Sequence, residues 1–284
     1  MRIELAGSLV RPEPVLLTLI TNQYFYPQDY IDLGYTHFDV ICIGGGGGRG
    51  GGIDTANTGT LIRSYGGAGG GGGYHRVRGL LSALPTDVFV SVGIAGIQGN
   101  SHASDPNLTS DGSDGGISAF NTNTCRASGG KGGKRVKSNS TTITTEAHGG
   151  EGGSGNRTVA GGGAPGGVAG TPSATGPGTP GTAGTDGTIA NNLGKGGGGG
   201  AGGVGKYGGV TCNASTPGGR GSYNPGDTSV YGPGDPPSND SASGAAAIIP
   251  GDASGAKASP LNGLPTIYGR SSSKGVVIIR LTAE

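Results

Sequence analysis

The chain has 284 residues, of which 68 are glycine and 17 proline, with no tryptophan and a net charge of +1. Only 32 % of residues are hydrophobic and 5 % aromatic, which argues against an ordinary apolar core for a chain of this size. The balanced charge offers no basic face for nucleic acid, and no apolar run approaches the roughly 18 residues of a membrane-spanning helix.

Residues 1–37 read as an N-terminal attachment segment with short strands. Met1-Arg2-Ile3-Glu4 leads into no apolar stretch of a signal peptide, so synthesis in the cytoplasm is expected. Val15 to Ile20 is a candidate strand, and Tyr24-Phe25-Tyr26 forms an aromatic cluster that either packs in the core or makes a binding patch.

Residues 38–284 form a glycine-rich domain. Phe38 to Ile43 is a short, β-branched apolar run that reads as a buried strand. It passes directly into Gly44 to Gly48, Arg49, and Gly50 to Gly52. Gly45, Gly47 and Gly50 match the G-x-G-x-x-G of a dinucleotide site. Neither a helical period nor a carboxylate near positions 65 to 73 follows, so the match carries no cofactor. The remaining question is where the backbone polar groups of so much glycine find partners. The polyproline II conformation makes no internal hydrogen bonds and has three residues per turn. Side-chain-free helices of this kind can pack closely and pair backbone to backbone. Gly44, Gly45, Gly46, Gly47 and Gly48, then Gly69, Gly70, Gly71, Gly72 and Gly73, and later Gly196, Gly197, Gly198, Gly199 and Gly200 are the candidate structural glycine core.

Further strands are expected near 74–78 and 87–92, the latter with Val88, Val90 and Val92 on one face. Residues 93–273 show no convincing strand or helix. They read as a bundle of short glycine helices joined by polar surface loops. Gly178, Gly181, Gly184 and Gly187 keep a triplet frame only briefly, which excludes collagen. Gly275 to Thr282 is a clear terminal strand. The strands at 38–43, 74–78, 87–92 and 275–282 are expected to share one β-layer that closes the bundle from both chain ends. The fold class is therefore mainly β and irregular: stacked polyproline II (polyglycine II) helices closed by a small sheet or sandwich.

No catalytic constellation is visible, and no cofactor or metal is expected. Cys42, Cys125 and Cys212 are far apart and odd in number, with Cys42 a core residue and the other two incidental. His37, His75, His102 and His148 are scattered, with no ligand spacing. Lys131, Lys134, Arg135 and Lys137 form a small basic cluster, either solvated or facing an anion.

The order of these features resembles the glycine-rich minor tail proteins of actinobacteriophages, including mycobacteriophages. Gly34-Tyr35-Thr36-His37-Phe38-Asp39-Val40-Ile41-Cys42-Ile43-Gly44 and Gly67-Ala68-Gly69 to Tyr74 carry the resemblance. Val90-Ser91-Val92-Gly93 and Gly115-Gly116-Ile117-Ser118-Ala119-Phe120 also fit. In style the chain is also similar, more distantly, to the tail-fibre adhesins of T-even-like phages. The resemblance implies a non-enzymatic virion protein at a tail tip or fibre, partnered by other tail proteins. It also implies a homo-oligomer, a trimer, with a host-surface glycan, lipid or protein as receptor. The alternatives are a purely architectural tail subunit without receptor contact and a disordered low-complexity protein. Receptor contact would use polar loops, with Arg220, Tyr223 and Tyr231 as candidate anchors.

Overall fold

In a computed structural model of the chain, residues 11–57, 60–64, 66–100, 109–122, 124–135, 137–139, 142–144, 148–168, 182, 184–185, 187–190, 192–194 and 274–284 are described. The architecture is mainly β, in two principal antiparallel sheets with almost no helix.

Alternation builds the first sheet. In β3 (His37–Ile43), Phe38, Val40 and Cys42 are buried and the residues between them are half-buried, as expected of a strand with one face on a core. On one side β3 pairs with the C-terminal strand β14 (Val276–Thr282), placing Val277 opposite Cys42, Ile279 opposite Val40 and Leu281 opposite Phe38. On the other side it pairs with β6 (Tyr74–Leu80), where Gly79 faces Phe38. A Cβ on Gly79 would stand 3.0 Å from the Phe38 ring, so the bare backbone leaves the ring its place. β1 (Val15–Leu19) pairs with the outer edge of β14, and β12 (Ile189–Ala190) and β13 (Leu193–Gly194) extend the β6 edge.

The second sheet has the order β2 (Gln23–Phe25), β7 (Val88–Ser91), β8 (Ser118–Phe120), β9 (Cys125–Ala127). Val88 and Val90 of β7 point into the core while Phe89 points out. Phe120 is fully buried between the sheets, 5.7 Å from the Phe25 ring and 5.8 Å from the Phe38 ring. The helix α1 (Pro27–Ile31) brings Tyr30 to stack on Phe25 at 5.1 Å. The residues after β14 are tied to the start of β3 as well. The Thr36 amide donates to the Thr282 carbonyl, and the Glu284 amide donates to Thr36 Oγ1.

Two expectations need correction. Val88–Ser91 does not join the layer of β3 and β14 but lies in the facing sheet, because its neighbours in the ladder are β2 and β8. The stretch 93–273 is also not devoid of strands: β8, β9, β12, β13 and the hairpin of β10 (Lys137–Asn139) with β11 (Thr142–Thr144) fall within it. These are strands of two or three residues, too short for an alternation to register in sequence. The aromatic cluster divides. Phe25 is core, whereas Tyr24 and Tyr26 are exposed, with Tyr24 packed edge-on to Phe89.

Candidate functional site

Strands hand over to glycine segments without a break in pairing. Past Ile43 and Tyr74, the β3–β6 ladder continues as Gly44 N–H to Gly73 C=O, Gly47 to Gly70, and Gly50 to Gly67. The donors now recur every third residue instead of alternating. The intervening phase points elsewhere: Gly45, Gly48 and Gly51 donate to Gly116, Ser113 and Ser110. Segment 44–52 also accepts at Gly46 and Arg49 from Gly96 and Gly99, and at Gly45 and Gly48 from Gly130 and Gly133. One segment is thus bonded to four others, each in a register of three.

The neighbours bond among themselves by the same rule. Gly67, Gly70 and Gly73 donate to Lys134, Lys131 and Ser128, while Ser128, Lys131 and Lys134 donate to Ser154, Glu151 and His148. Ser110, Ser113 and Gly116 donate to Asn100, Ile97 and Ile94. Direct backbone contact demands the absence of a Cβ. A Cβ on Gly47 would lie 2.1 Å from the Lys131 carbonyl oxygen, and one on Gly69 would lie 1.9 Å from that of Gly47. These are distances at which backbone must move.

The period of three also explains where side chains are admitted. In Gly129-Gly130-Lys131-Gly132-Gly133-Lys134 and Gly149-Gly150-Glu151-Gly152-Gly153-Ser154, every third residue is not glycine. Lys131 and Lys134 then project in one row. They meet the matching row Asp114 and Asp111 of the antiparallel neighbour, at 2.8 and 2.9 Å. Burial alone would raise the Asp111 pKa. The Arg135 amide, with Lys134 beside it, holds it below the usual carboxylate value instead. The basic cluster of Lys131 and Lys134 is therefore paired within the bundle. This triplet of two glycines and one free position was legible in the sequence, but the longer runs hide it because their free position is often glycine too.

The registers put all these segments on one axis. Segments 44–52, 93–100 and 128–135 leave the sheets, while 66–73, 109–116 and 148–155 return. Consequently Gly51, Asn100, Ser110, Lys134 and His148 lie at one level, far from the sheets. Gly44, Gly73, Gly93, Gly116, Ser128 and Ser154 lie at the near level. Beyond the far level stand two hairpins, β4 (Ile53–Asn57) with β5 (Thr60–Ser64), and β10 with β11. The bundle thus carries a distal tip built from separate excursions of the chain.

Of the candidate glycine core, Gly44 to Gly48 and Gly69 to Gly73 lie in this bundle, and all are buried except Gly72, which is half-buried. Gly196 to Gly200 lie outside the described residues, as do Arg220, Tyr223 and Tyr231. Arg49 fills the free position of its segment; it is 5 % exposed and its Nε donates to Gln98 Oε1 at 3.1 Å.

Between the sheets the structure joins residues that looked unrelated in sequence. Cys125, expected to be incidental, is buried against Cys42. Its Sγ donates to the His75 carbonyl at 3.3 Å, and Cys42 Sγ donates to the Cys125 carbonyl at 3.5 Å. His75 is half-buried, not a free surface residue, and its Nδ1 lies 3.1 Å from both the amide nitrogen and the carbonyl oxygen of Arg126. Burial pushes the Cys42 thiol well up. Burial alone would raise Cys125 as well, but hydrogen bonding to Cys42 and the adjacent His75 bring it down. Among the described residues no group of His, Cys, Asp and Glu is arranged to hold a metal ion.

No helix among the described residues is long and apolar enough to cross a membrane. A family model described as a glycine-rich domain matches residues 26–282. A comparison with curated proteins finds no match.

Proposed function

The chain belongs to the glycine-rich domain family, and we propose that within it this protein is a structural subunit of a bacteriophage tail that presents its distal tip to the host surface. The observation that carries the reading is the common axis of the bundle. Among the described residues, the outgoing segments 44–52, 93–100 and 128–135 are each bonded along the bundle to a returning one, and the hairpins β4–β5 and β10–β11 continue two of these pairs away from the sheets. Such a geometry suits a spacer that holds loops away from an anchoring base. The resemblance of Gly34 to Gly44 and Gly67 to Tyr74 to actinobacteriophage minor tail proteins supplies the setting. The role is binding and structural, without catalysis.

We read the glycine segments as polyproline II helices packed side by side. The recurrence of donors at every third residue supports this, since that helix has three residues per turn. At about 3.1 Å per residue the nine residues of 44–52 span roughly 28 Å. Ordering glycine costs about 0.5–1 kcal/mol per residue relative to alanine, so the bundle forms cooperatively or not at all.

Receptor contact falls to the polar loops, since a glycine helix presents only backbone that is already paired. The hairpin at 53–64 is one candidate contact, and Arg220, Tyr223 and Tyr231, which lie outside the described residues, are another. Purified protein, added to host cells before phage, is expected to reduce adsorption. Virions in which residues 55–62 are replaced by a serine- and glycine-rich turn are expected to assemble and adsorb more slowly. Arg220, Tyr223 and Tyr231 changed together to alanine form a separate arm. Full adsorption in both arms, with no competition by the protein, would leave a purely architectural tail subunit.

A further inference from the structure

We propose that Cys42 and Cys125 are a redox pair that closes into a reversible disulfide, stapling the first sheet to the second. The argument begins with position. Cys42 lies on β3, flanked by β14 and β6, and Cys125 opens β9 of the facing sheet. Cys125 Sγ reaches the His75 carbonyl at 3.3 Å and the Val40 carbonyl at 3.9 Å. Since His75 is the register partner of Cys42, this thiol is seated over the β3–β6 pair, next to the Cys42 side chain. From the other side, Cys42 Sγ lies 3.5 Å from the carbonyl oxygen of Cys125, so each thiol is seated against the other's strand. Both residues have 0 % exposure.

The pair is also chemically unequal. His75 and Cys42 both favour the thiolate of Cys125, while burial keeps Cys42 protonated. Redox-active cysteines share this division between an acidic attacking thiol and a neighbouring resolving thiol. A packing role alone requires neither the second cysteine nor the imidazole. Access requires β9 to open locally, which for this three-residue strand means releasing the backbone bonds that hold Arg126 to Asn156 and Ser128 to Ser154.

The oxidant is a peroxide. The Cys125 thiolate attacks one oxygen of hydrogen peroxide, the O–O bond breaks, and hydroxide leaves, giving a sulfenic acid. Cys42 then attacks that sulfur. The S–O bond breaks, the thiol proton of Cys42 goes to the departing hydroxide, and water leaves. Two thiols are oxidised by two electrons to one disulfide, and the peroxide is reduced to water. Dithiothreitol reverses the step by thiol exchange.

The test uses the full chain, with all three of its cysteines. Protein is treated with hydrogen peroxide, denatured, alkylated and mapped by peptide mass spectrometry without reduction. The expected product is one intramolecular Cys42–Cys125 cross-link, with a melting temperature raised by about 10 °C and restored by dithiothreitol. In Cys42→Ala the resolving thiol is gone, so Cys125 should instead accumulate as a sulfenic acid trapped by dimedone. If that variant does not fold, the wild-type map decides alone. A cross-link to Cys212, or retention of Cys42 and Cys125 as free thiols while Cys212 oxidises, overturns the proposal.

Discussion

The amide of Gly47 donates to the carbonyl of Gly70 at 2.8 Å, and a Cβ on Gly47 would stand 2.1 Å from the carbonyl oxygen of Lys131. Gly47 therefore serves two neighbours at once, one by a hydrogen bond and one by being bare. Gly47→Ala is expected to abolish soluble expression or to cost at least about 4 kcal/mol, above the usual range for overpacking, because backbone and not a side chain must yield. Lys131→Ala, in the free position of its triplet, should cost less than about 1 kcal/mol, since its ion pair with Asp114 is half exposed. Urea denaturation of both variants checks the contrast, and equal stabilities would refute the bundle packing.

Asp39 predicts a pH dependence. Its carboxylate on β3 pairs with Arg76, whose side chain is 10 % exposed, and with Arg78. Burial alone would raise the Asp39 pKa, but the hydrogen bonds and charge of Arg76, aided by Arg78, hold it below the usual carboxylate value. A folded pKa below the unfolded one stabilises above the unfolded value, and that stability is lost as pH falls through the folded value. The contribution should therefore be complete above the unfolded carboxylate value, decline as pH falls below it, and vanish only below the lower folded value. Asp39→Asn should cost about 2–4 kcal/mol at neutral pH, by leaving the Arg76 charge buried, and should flatten the acid limb of the stability profile. Thermal melts of both proteins from neutral to acid pH measure this.

Phe120 touches rings from both sheets and is fully buried. Phe120→Ala should destabilise by about 3–5 kcal/mol, the range for emptying an aromatic site that cannot collapse. Phe89→Ala, on the exposed side of the neighbouring strand, should cost less than about 1 kcal/mol. A chemical-denaturation series on the two variants would show any departure from that order.

Deleting residues 275–284 removes β14 from between β1 and β3. Because β14 is an interior strand, its loss strips pairing from two neighbours and uncovers Phe38, Val40 and Cys42. Two unpaired strand edges promote aggregation. The truncated protein is expected in the insoluble fraction; soluble protein with a native melting transition would contradict the topology.

Several elements were legible in residues alone. The alternation of Phe38, Val40 and Cys42 and the β-branched run at the C-terminus announce their strands, because a half-buried strand must present every second side chain to the core. The three-residue strands β8 and β9 were not legible, since Ser118-Ala119-Phe120 and Cys125-Arg126-Ala127 are too short to show a period. For the same reason Cys125 read as incidental: nothing local brings it to Cys42, 83 positions away. The ladder of Asp111 and Asp114 with Lys134 and Lys131 could have been found from the shared spacing of three, had the triplet frame been recognised.

By itself the sequence determined that this protein could not rest on a conventional core throughout, that its first and last strong strands were β3 and β14, and that long stretches of backbone would need partners beyond their own segment. Only the tertiary structure decided which segment pairs with which, and that Val88–Ser91 belongs to the second sheet instead of lying in the layer of β3 and β14. The physical reason lies in glycine. Side chains record their partners by size, charge and polarity, as Lys131 does with Asp114, but a backbone amide bonds any carbonyl in reach. A glycine segment therefore specifies close contact without specifying the neighbour, and its neighbours are chosen by the strands and turns that deliver each segment into register.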